Sequence, residues 1–212
     1  MLSRGDAMSK DGEVLLRLFR ACLDCDYVEV ENGGSYATLH DGGRLYIFFE
    51  KSNGEEDWRN NFGYHSVRYP RVGETWFCHE GFLRVWESIL PYIKENIENA
   101  SEGVICVGYS HGAALALLCH EYVWYKRPEL RALSYGVGFG CPRVIWGNAP
   151  QDERWQSFFG VRNVGDIVTH LPPTVFGYRH VGNVIEIGKA GRYSPIDAHR
   201  EESYIAELEK LN

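Results

Sequence analysis

The sequence predicts an α/β fold, with a mostly parallel central sheet flanked by helices. Three observations predict it. Strand-like apolar runs alternate with segments of helical periodicity, and later crossovers shorten to loops. Leu45-Tyr46-Ile47-Phe48-Phe49 and Val104-Ile105-Cys106-Val107 are near-continuous apolar runs, the pattern of strands covered on both faces. Between the second run and the helix-forming Ala113-Ala114-Leu115-Ala116-Leu117-Leu118-Cys119 lies a serine flanked by glycines, Gly108-Tyr109-Ser110-His111-Gly112.

The elements follow in order. Glu13 to Leu23 carries Val14, Leu15, Leu18, Phe19 and Cys22 at helical spacing, an amphipathic helix. Tyr36 to Leu39 and Arg44 to Phe49 flank Asp41-Gly42-Gly43 and read as a β-hairpin. Glu80 to Ile97 places Phe82, Val85, Trp86, Ile89, Tyr92, Ile93 and Ile97 on one helical face, with Pro91 a source of bending. Residues 104–108 form a strand and 111 to about 126 a helix. Leu133 to Phe139, Ser157 to Val164 and Asn183 to Ile187 read as strands, the first two ending at Gly140-Cys141-Pro142 and Gly165-Asp166. Asp197 to Leu211 reads as a terminal helix with Asp197 as its N-cap.

The chain has 212 residues, enough for one sizeable core, so residues 1–212 are expected to form a single domain. A net charge of −7, with no Lys/Arg cluster, argues against nucleic acid and against an anionic membrane surface. No apolar run approaches the roughly 20 residues of a membrane span. The first residues, Met1 to Met8, lack the apolar core of a signal peptide, from which a cytoplasmic location is expected. Among the six cysteines, Cys106, Cys119 and Cys141 fall in segments read as core, where a free thiol behaves as a small hydrophobe. Cys22-Leu-Asp-Cys25 has no second ligand pair at metal spacing, so no metal site is expected there.

The chemistry centres on Ser110. A strand, a glycine-flanked serine and a helix form the context of a nucleophile elbow, in which Gly108 and Gly112 leave room for a turn too tight for a Cβ. An alcohol is a poor nucleophile at neutral pH. It needs a histidine to take its proton and an acid to orient that histidine. In α/β-hydrolases the chain order is Ser, then Asp/Glu, then His. Asp166, just past a strand, leads as the acid, although an aspartate there also makes an Asx-turn. His170, His180 and His199 follow. His170 is tied closely to Asp166, and His180 begins a strand, where a structural role is common. His199 lies after the last strand, where a loop can lay its ring over Ser110, and position favours it.

Several motifs then occur in one order. They are Leu45 to Phe49 with Ser52 and Asp57-Trp58, then Cys78-His79-Glu80-Gly81-Phe82, and Val107 to Ala116. Phe139-Gly140-Cys141-Pro142-Arg143-Val144, Asn163 to Pro173 and Tyr178-Arg179-His180-Val181-Gly182 follow. From about Leu45 onward the chain resembles the class 3 lipases, the family of fungal triacylglycerol lipases and their bacterial relatives. The resemblance implies an α/β-hydrolase fold and puts Ser110, Asp166 and His199 on the family's catalytic triad. It puts His180 on a structural motif. It implies an oxyanion hole from the backbone N–H of His111 and the N–H and hydroxyl of Ser52. It also places Trp58, Phe62 and Tyr64 in the lid region. Three departures stand out: Glu50-Lys51 where the family has Arg-Gly, His111 where it commonly has Leu, and Cys141 where it has Gln.

The expected function is therefore serine ester hydrolysis, acting on acyl esters or lipids, with no cofactor and no metal. The alternatives are an acyltransferase or thioesterase using the same triad, or a catalytically weak hydrolase fold that binds or scaffolds, which Glu50-Lys51 favours.

Overall fold

The computed structural model describes residues 12–30, 33–51, 63–71, 75–148 and 153–211. The first helix, α1 (Gly12–Asp24), leads into strands β1 (Val28–Val30), β2 (Gly34–Asp41) and β3 (Arg44–Phe49). Gly42 and Gly43 close the β2–β3 hairpin with φ of +55° and +80°. Two positive φ angles in a two-residue loop match the right-handed twist of the strands, which is why two glycines stand there. Then come β4 (Ser66–Arg68), β5 (Phe77–His79), α2 (Glu80–Asn99), β6 (Val104–Tyr109) and α3 (His111–Lys126). The rest comprises β7 (Tyr135–Phe139), β8 (Ile145–Trp146), β9 (Phe158–Asn163), β10 (Tyr178–Arg179), β11 (Asn183–Ile187) and α4 (Glu201–Leu208).

Seven strands form the main sheet in the order β1-β2-β3-β6-β7-β9-β11. The pairs from β3 to β11 are all parallel, and the hairpin adds an antiparallel edge. Alternate residues feed opposite faces. Leu45, Ile47 and Phe49 of β3, with Val104 and Cys106 of β6, join a core beneath α2 and α3. Phe48, Ile105, Val107, Val137 and Phe139 join a second core with Leu15, Phe19 and Cys22 of α1 and Tyr204 and Leu208 of α4. Both faces are thus buried, as the apolar runs require. The fold is that of an α/β-hydrolase.

Four differences from the sequence expectation have local causes. Strand β7 begins at Tyr135, because Leu133 and Ser134 instead turn back to bond the carbonyl of Leu130. The terminal helix is interrupted: Asp197–His199 is a 3-10 turn, Arg200 is extended at ψ 150°, and only then does α4 begin. Asp197 is not its N-cap. The Asp197 carboxylate accepts from Ser194 Oγ at 2.6 Å, and the same Oγ accepts from the Asp197 N–H at 3.1 Å. A second antiparallel sheet, β10-β8-β5-β4, is built of strands too short to leave a period-2 pattern.

All six cysteines are free thiols, five of them buried. Burial raises the Cys22 thiol to about 12 and raises Cys25 as well, so neither is a thiolate at neutral pH. Among the described residues, no group of three or more His, Cys, Asp or Glu is placed to hold a metal ion. No helix among them is long and apolar enough to cross a membrane.

Candidate active site

Ser110 joins β6 to α3 with φ 56° and ψ −121°. It is the only non-glycine residue at positive φ among those described. Such a conformation costs on the order of 1–3 kcal/mol and persists only where its surroundings impose it. Here they do. A Cβ on Gly108 would lie 2.1 Å from the carbonyl oxygen of Gly112, and one on Gly112 would lie 2.1 Å from that of Phe49. Strand, helix and neighbouring strand therefore close on the turn from three sides. The Ser110 N–H donates to Phe139 O at 2.9 Å, which fixes the turn to β7.

Asp166 lies three residues beyond the end of β9, fully buried. Its Oδ1 accepts from the Val168 N–H at 2.8 Å, which is the Asx-turn. Its Oδ2 is 2.9 Å from His199 Nδ1 and also accepts from the Tyr204 hydroxyl at 2.6 Å. One carboxylate thus shapes its own loop with one oxygen and holds the imidazole with the other. His199 Nε2 lies 2.9 Å from Ser110 Oγ. With Nδ1 facing a carboxylate, the proton belongs on Nδ1, and Nε2 is left to accept from the serine hydroxyl.

The remaining candidates are distributed as follows. His180 Nε2 is 2.7 Å from the carbonyl of Thr169, which braces the loop behind Asp166, and His170 is exposed. His111 is the first residue of α3, and its ring packs 5.5 Å from that of Phe82. Both rings line a small pocket beside Ser110, closed by Pro142 and Val168. Burial lowers the His111 imidazole to about 4, so it is neutral at physiological pH. Tyr64 is exposed, with its ring 5.0 Å from Phe176. Ser52, Trp58 and Phe62 lie outside the described residues. Lys51 pairs with Glu201 at the head of α4.

Three contributors escaped the sequence reading. Tyr204 donates to Asp166 while its oxygen accepts from the Asn163 N–H at 3.1 Å. Burial, then the Asp166 carboxylate, push its phenol well above the ordinary value, so it remains a donor. Gly140 borders the imidazole so closely that a Cβ there would sit 2.9 Å from His199 Cε1. Tyr109 donates its hydroxyl to the carbonyl of His199. The only sequence signal for these was proximity, to Ser110 for Tyr109 and to His199 for Tyr204.

A parallel sheet with a strained serine after a central strand, meeting histidine and aspartate beyond the carboxyl ends of other strands, defines an α/β-hydrolase architecture. The model of the family Lipase (class 3) matches residues 46–176, more than half of the chain. The chain belongs to the class 3 lipase family. It is 33% identical over 129 residues to a secreted mono- and diacylglycerol lipase of Malassezia globosa, covering 56% of this chain and 40% of that protein. It is 26% identical over 156 residues to a secreted mono- and diacylglycerol lipase of Fusarium solani, covering 70% of this chain and 45% of that one. The chain thus spans less than half the length of these relatives. The solved triacylglyceride lipase of Rhizomucor miehei shares the fold, with a TM-score of 0.70 at 21% identity over 89% of this chain and 82% of that chain. The expectation of a cytoplasmic location is overturned, since both relatives are named as secreted proteins.

Proposed function

We propose that this chain hydrolyses carboxylic esters, of lipids or of small acyl compounds, through an acyl-enzyme on Ser110. One observation carries the reading: a continuous line of hydrogen bonds, each 2.9 Å, from Ser110 Oγ through His199 to Asp166. The names of its relatives, mono- and diacylglycerol lipases, support esters of glycerol as the substrate class.

In this reading Ser110 Oγ attacks the ester carbonyl carbon while His199 Nε2 takes the hydroxyl proton. The carbonyl oxygen becomes an oxyanion, met by the backbone N–H of His111 at the head of α3 and by Ser52. When the tetrahedral intermediate collapses, the imidazolium gives its proton to the leaving alcohol oxygen. Water, deprotonated by the same nitrogen, then releases the acid and restores Ser110. Asp166 stabilises the imidazolium in both halves, and the Tyr204 hydroxyl holds its carboxylate in place.

The test is direct. A fluorophosphonate probe is expected to label Ser110, and p-nitrophenyl esters of increasing chain length to be hydrolysed. Ser110→Ala is expected to abolish labelling and to lower kcat by on the order of 10⁶, with an unchanged circular dichroism spectrum. Folded wild-type protein that neither reacts with the probe nor hydrolyses any ester in the series overturns the reading.

A further inference from the structure

We propose that Tyr109 is a positioning residue for His199, holding that histidine by its main chain and by the face of its ring. The proposal builds on the hydrolase reading above. Tyr109 ends β6, is 3% exposed and immediately precedes Ser110. Its hydroxyl donates to the main-chain carbonyl of His199. Its ring stacks on the imidazole, with centroids 5.1 Å apart and planes inclined by 26°. One side chain therefore grips both the backbone and the ring of the histidine, and it belongs to the residue covalently joined to the serine.

His199 needs such a grip. It stands in the three-residue 3-10 turn Asp197–His199, ahead of an extended Arg200. Within that segment the hydrogen bonds are local, from Ala198 N to Ser194 O at 2.8 Å and from His199 N to Ile196 O at 3.1 Å. A single turn of this kind has little stability of its own. Two long-range hydrogen bonds to successive carbonyls tie it to the sheet. Asn163 Nδ2 donates to Ala198 O at 2.9 Å, and Tyr109 donates to His199 O. The Asn163 bond fixes the turn beside Asp166; the Tyr109 bond fixes it beside Ser110. Tyr109 is itself held edge-on by Phe19, at 5.3 Å and 87°, and packs against Tyr204 at 5.8 Å. It is therefore anchored in the core under α1 and cannot follow the histidine outward. The stacked face also lies where the imidazolium forms, and a π face beside that cation is favourable.

Two variants separate hydroxyl from ring. Tyr109→Phe removes one oxygen atom and keeps the packing. Tyr109→Leu removes the stack as well. With a soluble p-nitrophenyl ester, kcat is expected to fall roughly 10-fold in the first and roughly 100-fold in the second, with KM unchanged, because a base displaced by about 1 Å impairs chemistry rather than binding. In the proton NMR spectrum, the downfield resonance of the His199 Nδ1 proton shared with Asp166 is expected to broaden or shift in Tyr109→Phe. Circular dichroism is expected to be unchanged in that variant. Wild-type kcat and an unmoved resonance in folded Tyr109→Phe and Tyr109→Leu overturn the proposal. A change in KM alone, with the resonance unmoved, also overturns it. If the wild-type protein lacks esterase activity, the hydrolase reading fails, and the resonance comparison still decides whether Tyr109 positions His199.

Discussion

Ser110 and its two glycines form a unit in which strain and close packing support each other. The backbone of Ser110 is held at φ 56° because β6, α3 and the end of β3 approach to distances that leave no space for a Cβ at Gly108 or Gly112. Gly112→Ala sets a Cβ 2.1 Å from the Phe49 carbonyl and must push β3 away from the elbow. It is expected to destabilise the protein by on the order of 3 kcal/mol and to suppress esterase activity, as read by urea denaturation and by turnover per folded molecule. His199, which is buried, and His180, which is partly buried, have different jobs and should respond differently. His199→Ala removes the group 2.9 Å from Ser110 Oγ, and kcat is expected to fall by on the order of 10⁴ or more. His180→Ala removes a brace on the Thr169 carbonyl, and its loss is expected mainly in stability, by about 1 kcal/mol. The reverse ranking in turnover per folded molecule would assign the base to His180.

Among the elements, α3 carries the greatest burden. From His111 to Val123 it is buried on every side, because it packs on the sheet, on α2, on the turn Glu153–Ser157 and against Tyr69 and Arg71. Near its C-terminal end stands Glu121, fully buried, 2.6 Å from Arg71, 3.0 Å from Arg154 and 2.6 Å from the Tyr69 hydroxyl. Burial pushes the Glu121 carboxyl up, while the two guanidinium groups and the phenol oppose that shift. The cluster joins three segments distant in sequence: residues 69–71, the helix, and the turn Glu153–Ser157. Glu121→Ala leaves two cations with no carboxylate between them. It is expected to lower unfolding free energy by about 3–5 kcal/mol in chemical denaturation. The elbow lies at the other end of the helix, so turnover per folded molecule at a temperature well below the variant's melting point is expected to stay near wild type.

At the scale of the whole molecule, three buried histidines and the partly buried His180 shape the response to acid. His79, His111, His120 and His180 are all lowered to about 4, in each case chiefly by burial. In the unfolded chain a histidine titrates near 6.5. Above that pH both states are neutral at these positions, and the native stability is complete. As pH falls from 6.5 toward 4, the unfolded chain binds protons that the native protein excludes, so stability declines by on the order of 1 kcal/mol per pH unit for each histidine. Urea midpoints measured between pH 7 and pH 4 should therefore fall steeply. A flat profile across that window would mean that these rings are solvated or charged in the native state.

The sequence by itself determined what contiguous residues can encode: the apolar strands of the parallel sheet, the amphipathic and buried helices, the glycine turn of the hairpin and the tight bend around Ser110. Each depends on periodicity or on backbone freedom within a few residues. Asp166 was legible as an Asx-turn and as an acid, and one carboxylate makes both contacts. Position and the family resemblance pointed to His199, but only tertiary structure brings its ring to Ser110, because the two are 89 residues apart and no local pattern measures that distance. It also decided the Tyr109 grip, the Tyr204 hydrogen bond, the Glu121 cluster and the break at Arg200, where Ser194 takes the Asp197 hydrogen bonds a helix cap would have used. The common reason is that hydrogen bonds between distant segments depend on how the sheet stacks its strands, and that stacking follows from burying both faces at once rather than from any single stretch of chain.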